Sequence, residues 1–263
     1  MARRAPALIL HAFALAVLLQ AVACGGQAQA APAIKEKSAT CTTIPADAFE
    51  PPKEKVASHT SFAHKHFRKR LREFSRAPLA CGQIIMLGDS LIELNDWTQS
   101  VRAGVTLQNR GISGDTSDGV LVRLEEITAS QPKAVFLMIG TNDLWSKNTP
   151  ETTVANINRI AARIRSRTPG TIIFVQTVPP MRVDYAPNDK ARAINALLKK
   201  GSKKAPYTLL DTYLRLADSK GALRAAFTAD GIHPNEKGYA VWSNLVTDTL
   251  HRHDLVEGAP AGD

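Results

Sequence analysis

The sequence predicts an α/β fold with a parallel sheet covered by helices on both faces, and three observations predict it. From residue 83 onward, short runs of apolar and β-branched residues alternate with segments of helical period. Each run is too short for a buried helix and apolar enough for a strand buried on both faces. Strand and helix in alternation call for crossover connections, which leave the strands parallel. The 263 residues suffice for one large domain or two small ones. With no internal repeat and no strong boundary after residue 83, one domain over 58–252 is expected, followed by a C-terminal tail at 253–263. A content of 44% apolar and 22% charged residues excludes a collagenous, low-complexity or wholly disordered chain. Three cysteines exclude a disulfide-dense scaffold.

The first element is a leader. Arg3 and Arg4 precede an almost unbroken apolar run over 5–23, and small residues follow, which is the layout of a secretory signal. Residues 1–30 are set apart from the fold as a signal peptide cleaved after Ala30 of Ala28-Gln29-Ala30. Val22-Ala23-Cys24 offers the alternative of a lipoprotein anchored at Cys24, and the run approaches the ~18 residues of a spanning anchor. The expected location is therefore periplasmic or secreted. Export places Cys41 and Cys81 in an oxidising space, where a disulfide between them is expected. It also makes nucleic acid a poor partner, despite 33 Lys and Arg against 24 Asp and Glu.

Residues 31–57 mix Ala, Pro, Lys and Glu without a period and read as a linker or extended arm. A helix follows over 58–76, with Ala63, Phe67, Leu71 and Phe74 on one face and Lys65, Arg68, Lys69, Arg70, Arg72 and Arg76 on the rest. Such a charge run is more often a solvated face than a membrane contact, although peripheral association with the cell envelope is a second reading. The strands are expected at 84–88, 105–109, 134–140, 171–178 and 207–211. Between them, Val120, Leu121, Leu124 and Ile127 mark one helix. Thr149 as N-cap and Pro150 at the first helical position open a second, which buries Val154, Ile157, Ala161 and Ile164. Ala193, Leu197 and Leu198 mark a third, and Trp242, Leu245, Val246 and Leu250 a fourth.

In open parallel sheets the site lies at the carboxyl ends of the strands, and three of these ends carry unusual residues. The first runs into Gly88-Asp89-Ser90, the second into Asn109-Arg110-Gly111-Ile112-Ser113-Gly114-Asp115, and the third into Gly140-Thr141-Asn142-Asp143. A fourth block, Asp230-Gly231-Ile232-His233-Pro234, precedes the last helix. A serine nucleophile needs a base, a carboxylate to orient that base, and N–H donors where the oxyanion forms. The four blocks offer one of each.

Together, in this order, the blocks resemble those of the SGNH, or GDSL-type, hydrolases over about residues 60–252. The stretches NRGISGDT and IGTNDLW look most like the branch of platelet-activating-factor acetylhydrolase catalytic subunits and bacterial acetylesterases. The resemblance implies a three-layer α/β/α, flavodoxin-like fold with a five-stranded parallel sheet, and ester hydrolysis through an acyl-enzyme without a cofactor. It assigns Ser90 as nucleophile, Asp230 as orienter and His233 as base. The backbone N–H groups of Ser90 and Gly114 and the side-chain amide of Asn142 fill the oxyanion hole. Glycine at 114 is expected so that the backbone donor approaches the substrate without a Cβ in the way.

Asp89, Leu91 and Trp145 are expected beside the substrate, with Ile92, Trp97 and the 179–185 loop as further walls. Asp89, Asp115 and Asp143 read as caps and hydrogen-bond holders, and Gly88 and Gly140 as turn residues. His59, His64, His66, His251 and His253 fall in the basic helix or the tail without metal spacing, so no metal is assigned. There is no G-x-S-x-G elbow, no G-x-G-x-x-G and no Walker motif, which argues against an α/β-hydrolase and against nucleotides. The expected activity is removal of an acetyl or other short acyl group from a small-molecule, lipid or glycan ester. The alternatives are a lysophospholipase or thioesterase acting on longer chains, and a non-catalytic glycan-binding module of the envelope. Oligomeric state is not legible.

Overall fold

The computed structural model describes residues 43–101, 103–182 and 188–256. In chain order the elements are α1 (Ser61–Arg76), β1 (Ile84–Gly88), α2 (Ser90–Glu93), α3 (Trp97–Ser100), β2 (Leu107–Gly111), α4 (Ser117–Val122), α5 (Leu124–Ala129), β3 (Ala134–Met138), α6 (Pro150–Arg167), β4 (Ile172–Gln176), α7 (Asn188–Gly201), β5 (Thr208–Leu210), α8 (Thr212–Leu216) and α9 (Glu236–Arg252). The five strands form one parallel sheet in the order β2-β1-β3-β4-β5.

Side chains alternate across a strand, so the apolar runs divide between two cores. Ile85, Leu87, Val135, Leu137, Ile173 and Val175 pack under α4 to α7. Their neighbours Ile84, Met86, Ala134, Phe136, Met138 and Phe174 pack under α2, α3, α8 and α9, where Trp97 and Trp242 meet edge to face at 5.2 Å. This is the expected α/β/α sandwich. Outside it, α1 lays Phe67, Leu71 and Phe74 on Ile112, just past the end of β2. Ala48 and Val56, ahead of α1, are buried as well.

Several boundaries follow local chemistry. Thr149 caps α6 by accepting from the Thr152 N–H, and Pro150 starts the helix as expected. Others were set by tertiary partners. β2 begins two residues later than expected, at Leu107, because the Thr98 hydroxyl holds both the N–H and the carbonyl of Leu107 at this sheet edge. The single helix expected around residues 120–127 is two, parted at Arg123, whose φ of −119° and ψ of 24° are not helical. α7 turns Ala191, Ile194 and Leu198 inward, leaving Ala193 and Leu197 only half-buried.

Strand register brings the blocks together. Gly88 pairs with Gly111 on one side and Met138 on the other, so the residues that follow all three strands emerge at one edge. Gly88 is required by close approach and not by a turn: a Cβ there would lie 2.0 Å from the Met138 carbonyl oxygen. Cys81 is disulfide-bonded. Cys41, its expected partner, lies outside the described residues, as do the leader, Cys24 and the end of the tail. Among the described residues, no helix is long and apolar enough to cross a membrane.

Candidate active site

Where β1 ends, Asp89 caps α2 by accepting the Leu91 N–H at 3.0 Å, which makes Ser90 the first residue of the helix. On the other side of the cleft, the turn before α9 is tied internally. Asp230 Oδ1 accepts the N–H groups of Ile232 and His233 at 2.9 and 2.8 Å, and Thr228 Oγ1 accepts that of Gly231 at 2.9 Å. Asn235 caps α9 from its side chain. His233 is thereby fixed with Nδ1 2.7 Å from Asp230 Oδ2 and Nε2 3.0 Å from Ser90 Oγ.

Burial raises the pKa of Asp230, but the hydrogen bonds from the His233 ring and the two N–H groups outweigh it and hold the carboxyl down at about 2. The carboxylate is thus an acceptor at working pH. That places the ring proton on Nδ1 and leaves Nε2 to accept from the Ser90 hydroxyl.

The second and third blocks close the other side. The Ile112 N–H donates to the Gly88 carbonyl and the Asp115 N–H to the Ile112 carbonyl, curling the chain so that Gly114 faces the cleft. Asn142 donates one amide hydrogen to the Asp115 carbonyl at 2.9 Å, which fixes its plane and leaves the other hydrogen for a ligand. Ser90, Gly114, Asn142 and His233 line one cleft of about 390 Å³. Gly114 has φ of +83°, and a Cβ on it would lie 2.7 Å from the Cβ of Ala63. The glycine is therefore needed for the docking of α1 and for its backbone turn.

The cleft walls differ from expectation. Leu91, Ile92 and Trp97 are core residues, because α2 and α3 turn them onto α9 and the sheet. Asp89 is fully buried beneath Ser90. None of these four lines the cleft. Trp145 does, and is half-exposed. In the 179–185 loop, Met181 is buried in the core beside α7 and residues 183–185 lie outside the described residues. The walls that sequence reasoning missed come from the start of α1 and the end of α2: Ser58, Thr60, Phe62 and Leu94. Phe62 had a signal, since it is apolar and lies off the buried stripe of its helix.

The family model described as GDSL-like Lipase/Acylhydrolase matches residues 86–241, a span that contains all four blocks. The chain belongs to the GDSL-like lipase/acylhydrolase family. Over 164 residues it is 32% identical to human platelet-activating factor acetylhydrolase IB subunit alpha2, covering 60% of this chain and 71% of that protein. Over 195 residues it is 26% identical to N-acylneuraminate cytidylyltransferase of Escherichia coli, covering 71% of this chain. The match spans only 44% of that relative's length. A solved GDSL-like lipase from Bacteroides thetaiotaomicron superposes with a TM-score of 0.62 at 21% identity, covering 70% of this chain and 97% of that one, a likeness of fold.

In this GDSL-like acylhydrolase, buried charge holds the strand ends in place. Arg123 Nε donates to Asp115 Oδ2 at 2.8 Å, and its two terminal nitrogens donate to the carbonyls of Arg110 and Gly88, each at 2.9 Å. His59, expected on the basic helix, instead precedes it and places Nε2 3.0 Å from Asp115 Oδ1 with no side-chain exposure. Asp143 likewise holds Ser117 by its N–H and hydroxyl, at 2.9 and 2.6 Å, and burial raises its pKa.

Glu93 joins α1 to the block that carries Gly114. It accepts the Ser113 N–H and hydroxyl at 2.5 and 2.7 Å, while His66 Nε2 at 2.9 Å and Arg70 Nε at 3.2 Å approach from the helix. Burial opposes its ionisation, but Ser113, His66 and Arg70 together lower its pKa. Glu93 is a positioning residue. Because misplacement of about 1 Å can cost on the order of 100-fold in rate, Glu93→Ala is expected to lower kcat roughly 10- to 100-fold with a smaller change in KM. Glu93→Gln, which keeps an acceptor for Ser113, is expected to recover most of that loss in steady-state kinetics.

Asp89 is strained electrostatically. Complete burial, with Asp115 and Asp143 nearby, raises its pKa to about 7 against the pull of the Leu91 N–H and the Thr141 hydroxyl. Among the described residues, its Oδ2 has no hydrogen bond within ordinary geometry. The folded state then holds a proton that the unfolded chain releases near pH ~4, so this group's contribution to stability falls as pH rises from about 4 to 7. Asp89→Asn keeps the cap and has no charge to bury. Its melting temperature is expected to exceed wild type above pH 7, by on the order of 5 °C, with the gap closing toward pH ~4 in thermal scans.

Proposed function

We propose that this family member, a hydrolase acting on esters, is an exported serine esterase that removes acetyl or another short acyl group through a covalent acyl-enzyme. The observation that carries the reading is the continuous chain Asp230, His233, Ser90 opening into the same cleft as Gly114 and Asn142. Ser90 Oγ attacks the ester carbonyl as its proton passes to His233 Nε2. The oxyanion is met by the N–H groups of Ser90 and Gly114 and by the free amide hydrogen of Asn142. The C–O bond to the alcohol then breaks, and His233 Nε2 returns the proton to the leaving oxygen. Water, deprotonated by the same nitrogen, attacks the acyl carbon and releases the acid with Ser90 restored.

Short acyl groups suit the cleft. Its volume is near the lower end of the ~300–1,000 Å³ range of ligand pockets, and the apolar residues behind Ser90 are packed into the core. The name of the human relative, an acetylhydrolase, is in keeping with this. On p-nitrophenyl esters, kcat/KM is expected to fall at least about tenfold from acetyl to octanoyl, ~1.4 kcal/mol of lost transition-state binding. A rate that rises with chain length would replace this reading with that of a lysophospholipase or thioesterase. Export rests on the leader at 1–30; the disulfide at Cys81 is in keeping with it, with Cys41 the expected partner. The intact mass of the processed protein, before and after reduction, tests both and distinguishes cleavage after Ala30 from lipidation at Cys24.

A further inference from the structure

The order of proton transfers fixes which side of the site each half of an ester occupies. The carbonyl oxygen must sit among Gly114, Asn142 and the Ser90 N–H, while the leaving oxygen must lie within reach of His233 Nε2, the atom that protonates it. The alcohol therefore extends past His233. A second cavity begins there, about 800 Å³ in volume, running between the α2–α3 segment and α9. Leu94 lines both this groove and the catalytic cleft, and Pro234, next to His233, lines its near end.

The chemistry of the groove is specific. The side-chain amides of Gln99 and Asn244 and the carboxylate of Glu236 line it, are exposed, and make no side-chain hydrogen bond among the described residues. Amides donate and accept at once, as sugar hydroxyls do. Asp96 and Glu236 line the groove and, among the described residues, no Lys or Arg does, so a phosphate or uronate would meet like charge. Leu94, Pro234, Tyr239 and Ala240 add apolar surface between these polar groups, the mixed lining that a sugar ring, with its C–H faces and hydroxyl rim, would meet.

We propose, resting on the esterase reading above, that this groove binds the alcohol half of the substrate and that the alcohol is a neutral polyhydroxyl chain, an oligosaccharide ester being the substrate class. Gln99, Asn244 and Glu236 are specificity-determining residues that hydrogen-bond its hydroxyls.

The test titrates full-length Ser90→Ala protein, calorimetrically, with xylotetraose, cellotetraose, chitotetraose, tetragalacturonate and glycerophosphocholine. At least one neutral tetrasaccharide is expected to bind, at least tenfold more tightly than either charged probe. Adding Gln99→Ala and Asn244→Ala is expected to weaken it about tenfold, with the melting temperature reporting that the fold is kept. In the active enzyme, the same pair is expected to lower about tenfold the ratio of kcat/KM on an acetylated tetrasaccharide to that on p-nitrophenyl acetate. No binding of any neutral tetrasaccharide, binding indifferent to the two substitutions, or preference for glycerophosphocholine would overturn the inference. Wild-type protein inactive on every ester would instead defeat the esterase reading, while the titration still reports on the groove.

Discussion

Ser90→Ala is expected to lower kcat on p-nitrophenyl acetate by on the order of 10⁴- to 10⁶-fold, leaving the fold intact. The substitution removes one oxygen at the head of α2, where Ser90 Oγ makes its contact with His233 Nε2, while the cap from Asp89 to Leu91 remains. His233→Ala is expected to cost about as much, and the double variant little more, because nucleophile and base act as one unit. Residual rate above water would come from the oxyanion donors and binding alone. Asp230→Asn is expected to be milder, on the order of 10²- to 10⁴-fold, through loss of the group that fixes the Nδ1 proton. Held down at about 2, the Asp230 carboxylate stays ionised through any practical assay, so the acid limb of the rate profile does not belong to it. Its contribution to stability has the matching sign: present above the unfolded value near ~4, and lost as pH falls toward 2.

Arg123→Met is expected to give the largest loss of stability, about 3–5 kcal/mol, which lowers the melting temperature by on the order of 10 °C. The guanidinium is 3% exposed and Asp115 wholly buried. Removing it leaves a buried carboxylate with His59 as its remaining ring partner and takes the side-chain donors from the carbonyls of Gly88 and Arg110. The second variant Asp115→Asn, combined with Arg123→Met, removes the stranded charge and is expected to recover part of the loss in urea unfolding. A loss below about 1 kcal/mol for Arg123→Met would show that the network does not tie the strand ends together.

What the sequence reveals and what it hides follows from where the deciding partner lies. The start of α6 is legible because Thr149 and Pro150 act within one turn. The three strand-end blocks and the turn at 230–234 are legible because acyl transfer needs those residue types, and parallel register brings them to one edge. The break at Arg123 is hidden, since it depends on a side chain reaching Asp115 and two strand carbonyls. Leu91, Ile92 and Trp97 are misread for a related reason. An apolar residue near a nucleophile has the same appearance in sequence whether it walls a cleft or enters the core, and only the packing of α2 and α3 against α9 decides it. The true walls at Thr60 and Phe62 and the steric need for Gly114 both arise from the docking of α1, some fifty residues away in sequence.

The role of Ser90 as covalent nucleophile is tested most directly by labelling the mature protein with a fluorophosphonate and mapping the adduct by peptide mass spectrometry. One adduct per chain on the peptide containing Ser90 is the predicted result, absent in Ser90→Ala and greatly slowed in His233→Ala. An adduct on another residue, or ester hydrolysis undiminished in Ser90→Ala, would contradict it.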